Sequence, residues 1–199
     1  MPNDQRPTNQ PELSSLEKEQ GSAIDAIRWY PLRAYKAEFK TEKAIQSYPG
    51  ISFFVAKRYV KTTRHGKPVR ILTPSIPSLV FVKASLRQIN ILKENLPYLQ
   101  YLWFWDSEIG QKRRIHVPED QMQNFMKVAS QTESEITYYT ADELDLAAGK
   151  KVRIHGGVMD GCTGVLLRPH GKRSRQFIVQ VDKLGCAAIS VPLELIEII

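Results

Sequence analysis

At 199 residues, 42% of them hydrophobic, the chain has enough length and apolar content to fold around one large core or two small ones. Its 28 Lys and Arg against 21 Asp and Glu leave a net charge of +7, which favours a polyanionic partner and says nothing of fold. No stretch approaches the roughly 18 uninterrupted apolar residues of a membrane span, so a membrane protein is excluded at this level, and the polar opening predicts a cytoplasmic one.

Residues 1–24, rich in Pro, Gln, Asn, Ser and Glu, hold too little apolar surface to offset chain entropy and predict a disordered tail. A first domain is expected over 25–129. IRWYPLRAY is strand-like, and KAEFKTEKAIQSY places Ala37, Ala44 and Tyr48 at helical spacing before Pro49-Gly50 ends the helix. ISFFVAKRYVKT, the turn RHGK, PVRILTPS and PSLVFVKA predict hairpin-connected strands. Ser85 caps a helix whose Leu86, Ile89, Leu92 and Leu96 share a face, Pro97 ends it, and YLQYLWFW supplies another strand. Pro118 opens a third helix with Glu119 and Asp120 in its first turn and Met122, Phe125, Met126 and Ala129 along one stripe. The sum is an α+β domain, an antiparallel sheet with helices packed on it.

SQTESEITYYTADELDLAA, residues 130–148, carries five acids and no base and reads as a mobile acidic linker. Over 149–199 there is no helical period. KKVRIH, TGVLLRP, RQFIVQVD, CAAISVP and LELIEII recur every ten residues or so with Gly or charged turns between, which predicts a small all-β barrel.

Within that region VRIHGGVMDGCTGVLL runs a strand into Gly156, Gly157, Gly161 and Gly164 and out into another strand. A phosphate-binding loop would need a helix after the glycines, and a hairpin turn with positive φ explains the local pattern. The longer segment GKKVRIHGGVMDGCTGVLL also has the order of a KOW motif, and FIVQVDKLGCAAISVPLELIEII resembles the rest of that motif's barrel. In the first domain, WYPLRAY at 29–35, IPSLVFVK at 76–83 and IHVPEDQMQNFMKV at 115–128 resemble the N-terminal domain of the NusG family of transcription elongation factors, in the family's order and spacing.

The resemblance covers residues 28–199 and is nearer to specialised paralogues such as RfaH and the UpxY capsule-operon antiterminators. It implies an SH3-like KOW domain behind a NusG-type domain. The first domain would dock on the clamp helices of RNA polymerase through Arg33, Tyr35, Pro77, Leu79 and Phe81. The KOW domain would recruit a ribosomal protein or the termination factor Rho. Two departures stand out. Pro77-Ser78-Leu79 replaces the family's Pro-Gly-Tyr or Pro-Asn-Tyr, and Cys162 occupies a position that often carries an aromatic.

In PSLVFVKA, Leu79 and Phe81 share one face and Val80 and Val82 the other, so both faces are apolar and an outward Leu79 and Phe81 would make a docking patch. KRYVKTTRHGKPVR, residues 57–70, holds Lys57, Arg58, Lys61, Arg64, Lys67 and Arg70 without one acid. That composition fits either a solvated hairpin or contact with a DNA or RNA backbone. RPHGKRSRQ, residues 168–176, is a similar basic turn. Tyr101, Trp103, Phe104 and Trp105 are candidates for base stacking, but aromatic residues on strands are mostly packed.

Cys162 and Cys186 have no CxxC pairing, and the four histidines are scattered, so neither a metal site nor a cofactor is predicted. No nucleophile, base and acid share a local spacing, and an enzyme is not expected. The chain reads as a transcription elongation and antitermination factor that contacts polymerase and the nucleic acid of the elongation complex. A ribosome-associated RNA-binding protein is the alternative.

Overall fold

The computed structural model describes residues 25–199, and the tail expected over 1–24 lies outside the described residues. RWYPLR forms β1, Arg28–Arg33, and α1 follows over Glu38–Ile45. The buried side of α1 is Glu38, Thr41 and Ile45, not the expected Ala37, Ala44 and Tyr48 stripe. Two polar residues can turn inward because both find partners: the Ser78 N–H donates to the Glu38 carboxylate, and Thr41 Oγ1 donates to the Ala37 carbonyl at 2.8 Å.

β2, Ser52–Phe54, and β3, Lys57–Arg64, divide their run at the buried pair Val55 and Ala56. β3 turns through His65 and Gly66, both at positive φ, into β4, Lys67–Pro74. Positive φ at both central residues gives the turn a twist that matches the strands. β5, Leu79–Ala84, leads to α2, Leu86–Asn95, through a capping box: the Gln88 N–H donates to Ser85 Oγ at 3.2 Å and the Ser85 N–H to Gln88 Oε1 at 2.9 Å. YLQYLWFW is two strands, not one. β6, Gln100–Tyr101, stops at Leu102, and β7, Trp103–Asp106, forms a separate hairpin with β8, Gln111–Arg114. α3 spans Glu119–Ala129 with Pro118 as its N-cap residue, and buries Met122, Phe125, Val128 and Ala129.

The first sheet has the order β2-β5-β1-β6. Tyr30 opposite Val82 and Leu32 opposite Val80 form one face, which packs on Ile45 of α1 and Ile89 and Leu92 of α2. Trp29 and Phe81 lie on the other face, under Met122 and Phe125 of α3.

The stretch expected to be a mobile acidic linker contains a strand, β9, Ile136–Tyr139. β9 pairs antiparallel with a strand fifty residues later, Cys186 opposite Tyr139 and Ile189 opposite Ile136. Its acids flank it, while its four residues are β-branched or aromatic and fit a pleated, half-buried surface. Five further strands follow: β10, Lys150–Ile154; β11, Thr163–Leu167; β12, Gln176–Val181; β13, Gly185–Ile189; and β14, Ile196–Ile198. They form one antiparallel sheet in the order β14-β10-β11-β12-β13-β9.

The chain is thus a mixed α and β protein built on antiparallel sheets, and its two regions share a core. Val152, Ile154, Phe177, Val179 and Ala187 of the C-terminal sheet belong to the same buried cluster as Trp29, Phe81, Met122 and Phe125. Among the described residues no helix is long and apolar enough to cross a membrane.

Candidate functional site

The residues expected to form a docking patch do not behave alike. Phe81 is 2% exposed and packs on Phe125 of α3 with ring centroids 5.3 Å apart, so an outward Phe81 is corrected: α3 covers it. Leu79, one pleat further along the same face, is half-buried. With Arg33, Pro77 and Phe81 it lines a cleft of about 280 Å³ whose far wall is Tyr138 of β9, Leu184 of the β12–β13 turn and Cys186 of β13. Phe125, which also lines the cleft, belongs to an aromatic cluster, its ring centroid 6.1 Å from that of Phe54 and 6.4 Å from that of Tyr138.

Arg33 and Tyr35 are exposed at the end of β1, the guanidinium 5.8 Å from the ring centroid. The corner beside them is conformationally tight. Tyr35, Lys36 and Ser78 all have positive φ, and the Lys36 N–H donates to Ser78 Oγ at 3.0 Å. Ser78 holds, at φ +63°, the backbone shape that Gly or Asn adopts most easily.

Polar bonds run along the seam between the two regions. Asn124 of α3 exchanges two hydrogen bonds with Thr163, at 3.1 and 3.3 Å, Lys127 Nζ donates to the Asp160 carbonyl at 2.7 Å, and the Asp182 N–H donates to Gln121 Oε1 at 2.9 Å. Lys183 adds a cation over the Phe104 ring at 3.6 Å. His116 faces Arg28, Lys183 and Arg113, and partial burial together with these cations lowers its pKa below 6.5.

The six cations expected to meet nucleic acid separate in the same way. Lys57 is paired with Glu42 at 2.7 Å, and Arg70 grips Glu133 with both carboxylate oxygens, at 2.6 and 2.8 Å, while stacking over Tyr59. Arg58, Lys61, Arg64 and Lys67 are exposed and have no ion pair among the described residues. Lys61 lies directly opposite Arg70, and Arg64 opposite Lys67. Like charges in such pairs oppose each other, a cost that an anion laid across the hairpin would relieve.

The glycine turn is explained by two different physical demands. Gly156, Gly157 and Gly161 take positive φ around a 3-10 turn at Gly157–Met159, with the Gly156 N–H donating to Asp160 Oδ1 at 2.6 Å. Gly164 is different. A Cβ there would lie 2.7 Å from the Phe177 ring and closer still to the Ile178 carbonyl, so β11 and β12 need its missing side chain. The turn itself presents no anion cradle leading into a helix.

On the C-terminal sheet, Lys150, Arg168, Arg173 and Arg175 line a concavity of about 610 Å³ that has no acid in its wall. Burial pushes both thiols, Cys162 and Cys186, above their ordinary range, away from the reactive thiolate. No group of three His, Cys, Asp or Glu at metal-binding distance occurs among the described residues.

Sequence reasoning missed two contributors. Tyr138 is one, hidden in a stretch classified by its charge although ITYY is a strand-forming run. The other is the exposure of Trp103 and Trp105, which depends on β7 pairing only with β8. No family model matches the chain, and no curated protein matches it.

Proposed function

We propose that the protein is a non-enzymatic, cytoplasmic transcription elongation and antitermination factor of NusG type, with a C-terminal KOW domain. Docking on the clamp helices of RNA polymerase would use the apolar wall around Leu79 together with Arg33, Tyr35 and Pro77. The observation that carries this reading is how that wall is completed: Phe54, Leu79, Phe81 and Phe125 are closed over by Tyr138, Leu184 and Cys186 from beyond residue 130. Polymerase and C-terminal sheet therefore compete for one surface, and docking requires the sheet to move. The factor then favours whichever polymerase conformation it binds better, by the difference in affinity. The freed sheet is the element left to recruit a ribosomal protein or Rho.

The test compares polymerase capture by the full chain and by Tyr138→Asp, which places a carboxylate in the seam. The variant should retain more polymerase than the native chain, and Leu79→Asp added to it should abolish the gain. No polymerase on either protein would overturn the reading.

Nucleic-acid contact is assigned to the tip of the β3–β4 hairpin. Lys61, Arg64 and Lys67 changed together to Ala should weaken DNA binding for all sequences alike and reduce the salt slope by about 0.9 for each duplex phosphate that the hairpin no longer neutralises. An unchanged slope would leave the hairpin as a solvated turn.

The acid-free concavity at Lys150, Arg168, Arg173 and Arg175 favours a second reading, a ribosome-associated RNA-binding protein. Co-sedimentation with ribosomal subunits, abolished when Arg168, Arg173 and Arg175 become Ala, would favour it over polymerase docking.

A further inference from the structure

Tyr101, Trp103 and Trp105 form an aromatic stripe that rises out of the core. Tyr101 is buried at 7% exposure, Trp103 is 48% exposed and Trp105 is 62% exposed. Tyr101 and Trp103 meet edge to face at 6.1 Å, which fixes the inner end. The outer end is bare because β7 pairs with β8 alone, with no helix or third strand laid on the hairpin.

The register places a cation directly across from each exposed ring: Arg114 opposite Trp103 and Lys112 opposite Trp105. The Arg114 guanidinium lies 4.9 Å from the Trp103 centroid and 5.0 Å from that of Tyr101, and Lys93 of α2 approaches Tyr101 to 4.4 Å. Among the described residues, none of Lys93, Lys112 and Arg114 has a carboxylate partner. The hairpin's one ion pair, Arg113 with Asp106 at 3.3 Å, falls outside these cross-strand pairs.

Exposed indole rings set across from cations that have no carboxylate partner suit a ligand that is itself an alternation of flat apolar rings and anions. We infer that this face binds unpaired nucleic acid, its bases stacked on Trp103 and Trp105 and its phosphates held by Lys112 and Arg114. Side chains two residues apart on one strand face are about 6.8 Å apart, twice the roughly 3.4 Å advance per nucleotide along one strand, so the two rings are spaced for alternate bases. A duplex hides the base faces and offers only its phosphates, so the site selects single strands. This inference is independent of polymerase docking and of the β3–β4 hairpin, neither of which contributes a residue to it.

Intrinsic fluorescence reads the site directly, because the third tryptophan, Trp29, is 4% exposed. The full chain is titrated with oligothymidylate, with oligouridylate, with a duplex of equal length and with inorganic polyphosphate. Both single-stranded oligomers should quench the emission and bind more tightly than the duplex, the ratio of the two showing whether DNA or RNA is preferred. Polyphosphate, which has no bases, should leave the emission unchanged. Trp103→Ala with Trp105→Ala should weaken single-strand affinity by about tenfold or more while the thermal midpoint stays near native. Trp103→Phe with Trp105→Phe keeps a stacking ring at each position and should restore most of the affinity, read by anisotropy of a labelled strand. Equal binding by native chain and Ala variant, or quenching by polyphosphate as deep as by oligothymidylate, would overturn the inference. So would a failure of the Phe variant to bind while folded.

Discussion

The first sheet presents two apolar faces that are closed in different ways. The face of Tyr30, Leu32, Val80 and Val82 is covered by α1 and α2, all within the first hundred residues and with fully buried Leu92 and Ile89 at its centre. The face of Trp29 and Phe81 is covered by α3 and then by a sheet that begins beyond residue 130, and its rim is stitched by polar bonds to exposed side chains. Such bonds each contribute only about 0.5–1.5 kcal/mol net, because water replaces them when they break. Equal burial on two faces of one sheet therefore carries different meanings. One face holds the domain together, and the other holds a second region against it.

The largest effect should come from Phe81→Asp. An unpaired carboxylate under α3 costs several kcal/mol, and circular dichroism should show the first region unfolded at ambient temperature. A native melt for this variant would move Phe81 outside the core and erase the contrast. Next is Leu92→Ala, on the internally closed face, which should cost about 2–5 kcal/mol and lower the thermal midpoint of the helices and first sheet together.

Tyr138→Ala should be milder for the fold and sharper for the seam. Protease should cut between residues 130 and 149 faster than in the native chain, leaving two folded pieces, while the helical signal melts as before. Equal loss of both signals would mean that the two regions form one cooperative unit. The smallest expected effect is one of pH. Partial burial, and after it the cations Arg28, Lys183 and Arg113, hold the folded pKa of His116 below its unfolded value of about 6.5. Its contribution is then fully present above pH 6.5 and is lost as pH falls through the folded pKa, since the unfolded state binds the proton more readily. Lowering the pH from 7.5 to 5.5 should therefore speed cutting at residues 130–149 modestly, and His116→Gln should flatten that dependence.

Much of this contrast was legible in the chain. Ser85, Pro118 with Glu119 and Asp120, and the RHGK turn are local signals, and each element they announce is present. The alternation in PSLVFVKA also announced two apolar faces. What it could not say was which cover lay on which face, because α3 and the C-terminal sheet reach Phe81 and Leu79 from more than forty residues away. β9 escaped for a different reason. Net charge divides a chain by its solvent-facing residues, and ITYY sits silently between Glu135 and Asp142. The α1 stripe was misassigned because Glu38 turns inward toward the Ser78 N–H, a partner forty residues distant.

β9 also sets a length. Between Ala129 at the end of α3 and Ile136 there are six residues, which can span at most about 20 Å when extended. While β9 stays zipped to β13, the C-terminal sheet that leaves its cover on Phe81 remains leashed within that radius. Once the four pairs from Cys186–Tyr139 to Ile189–Ile136 are undone, the free chain runs to Gly149 and the leash extends to about 70 Å. A strand of four residues thereby sets two lengths of tether for the region it belongs to, a short one while it is paired and a long one once it is not.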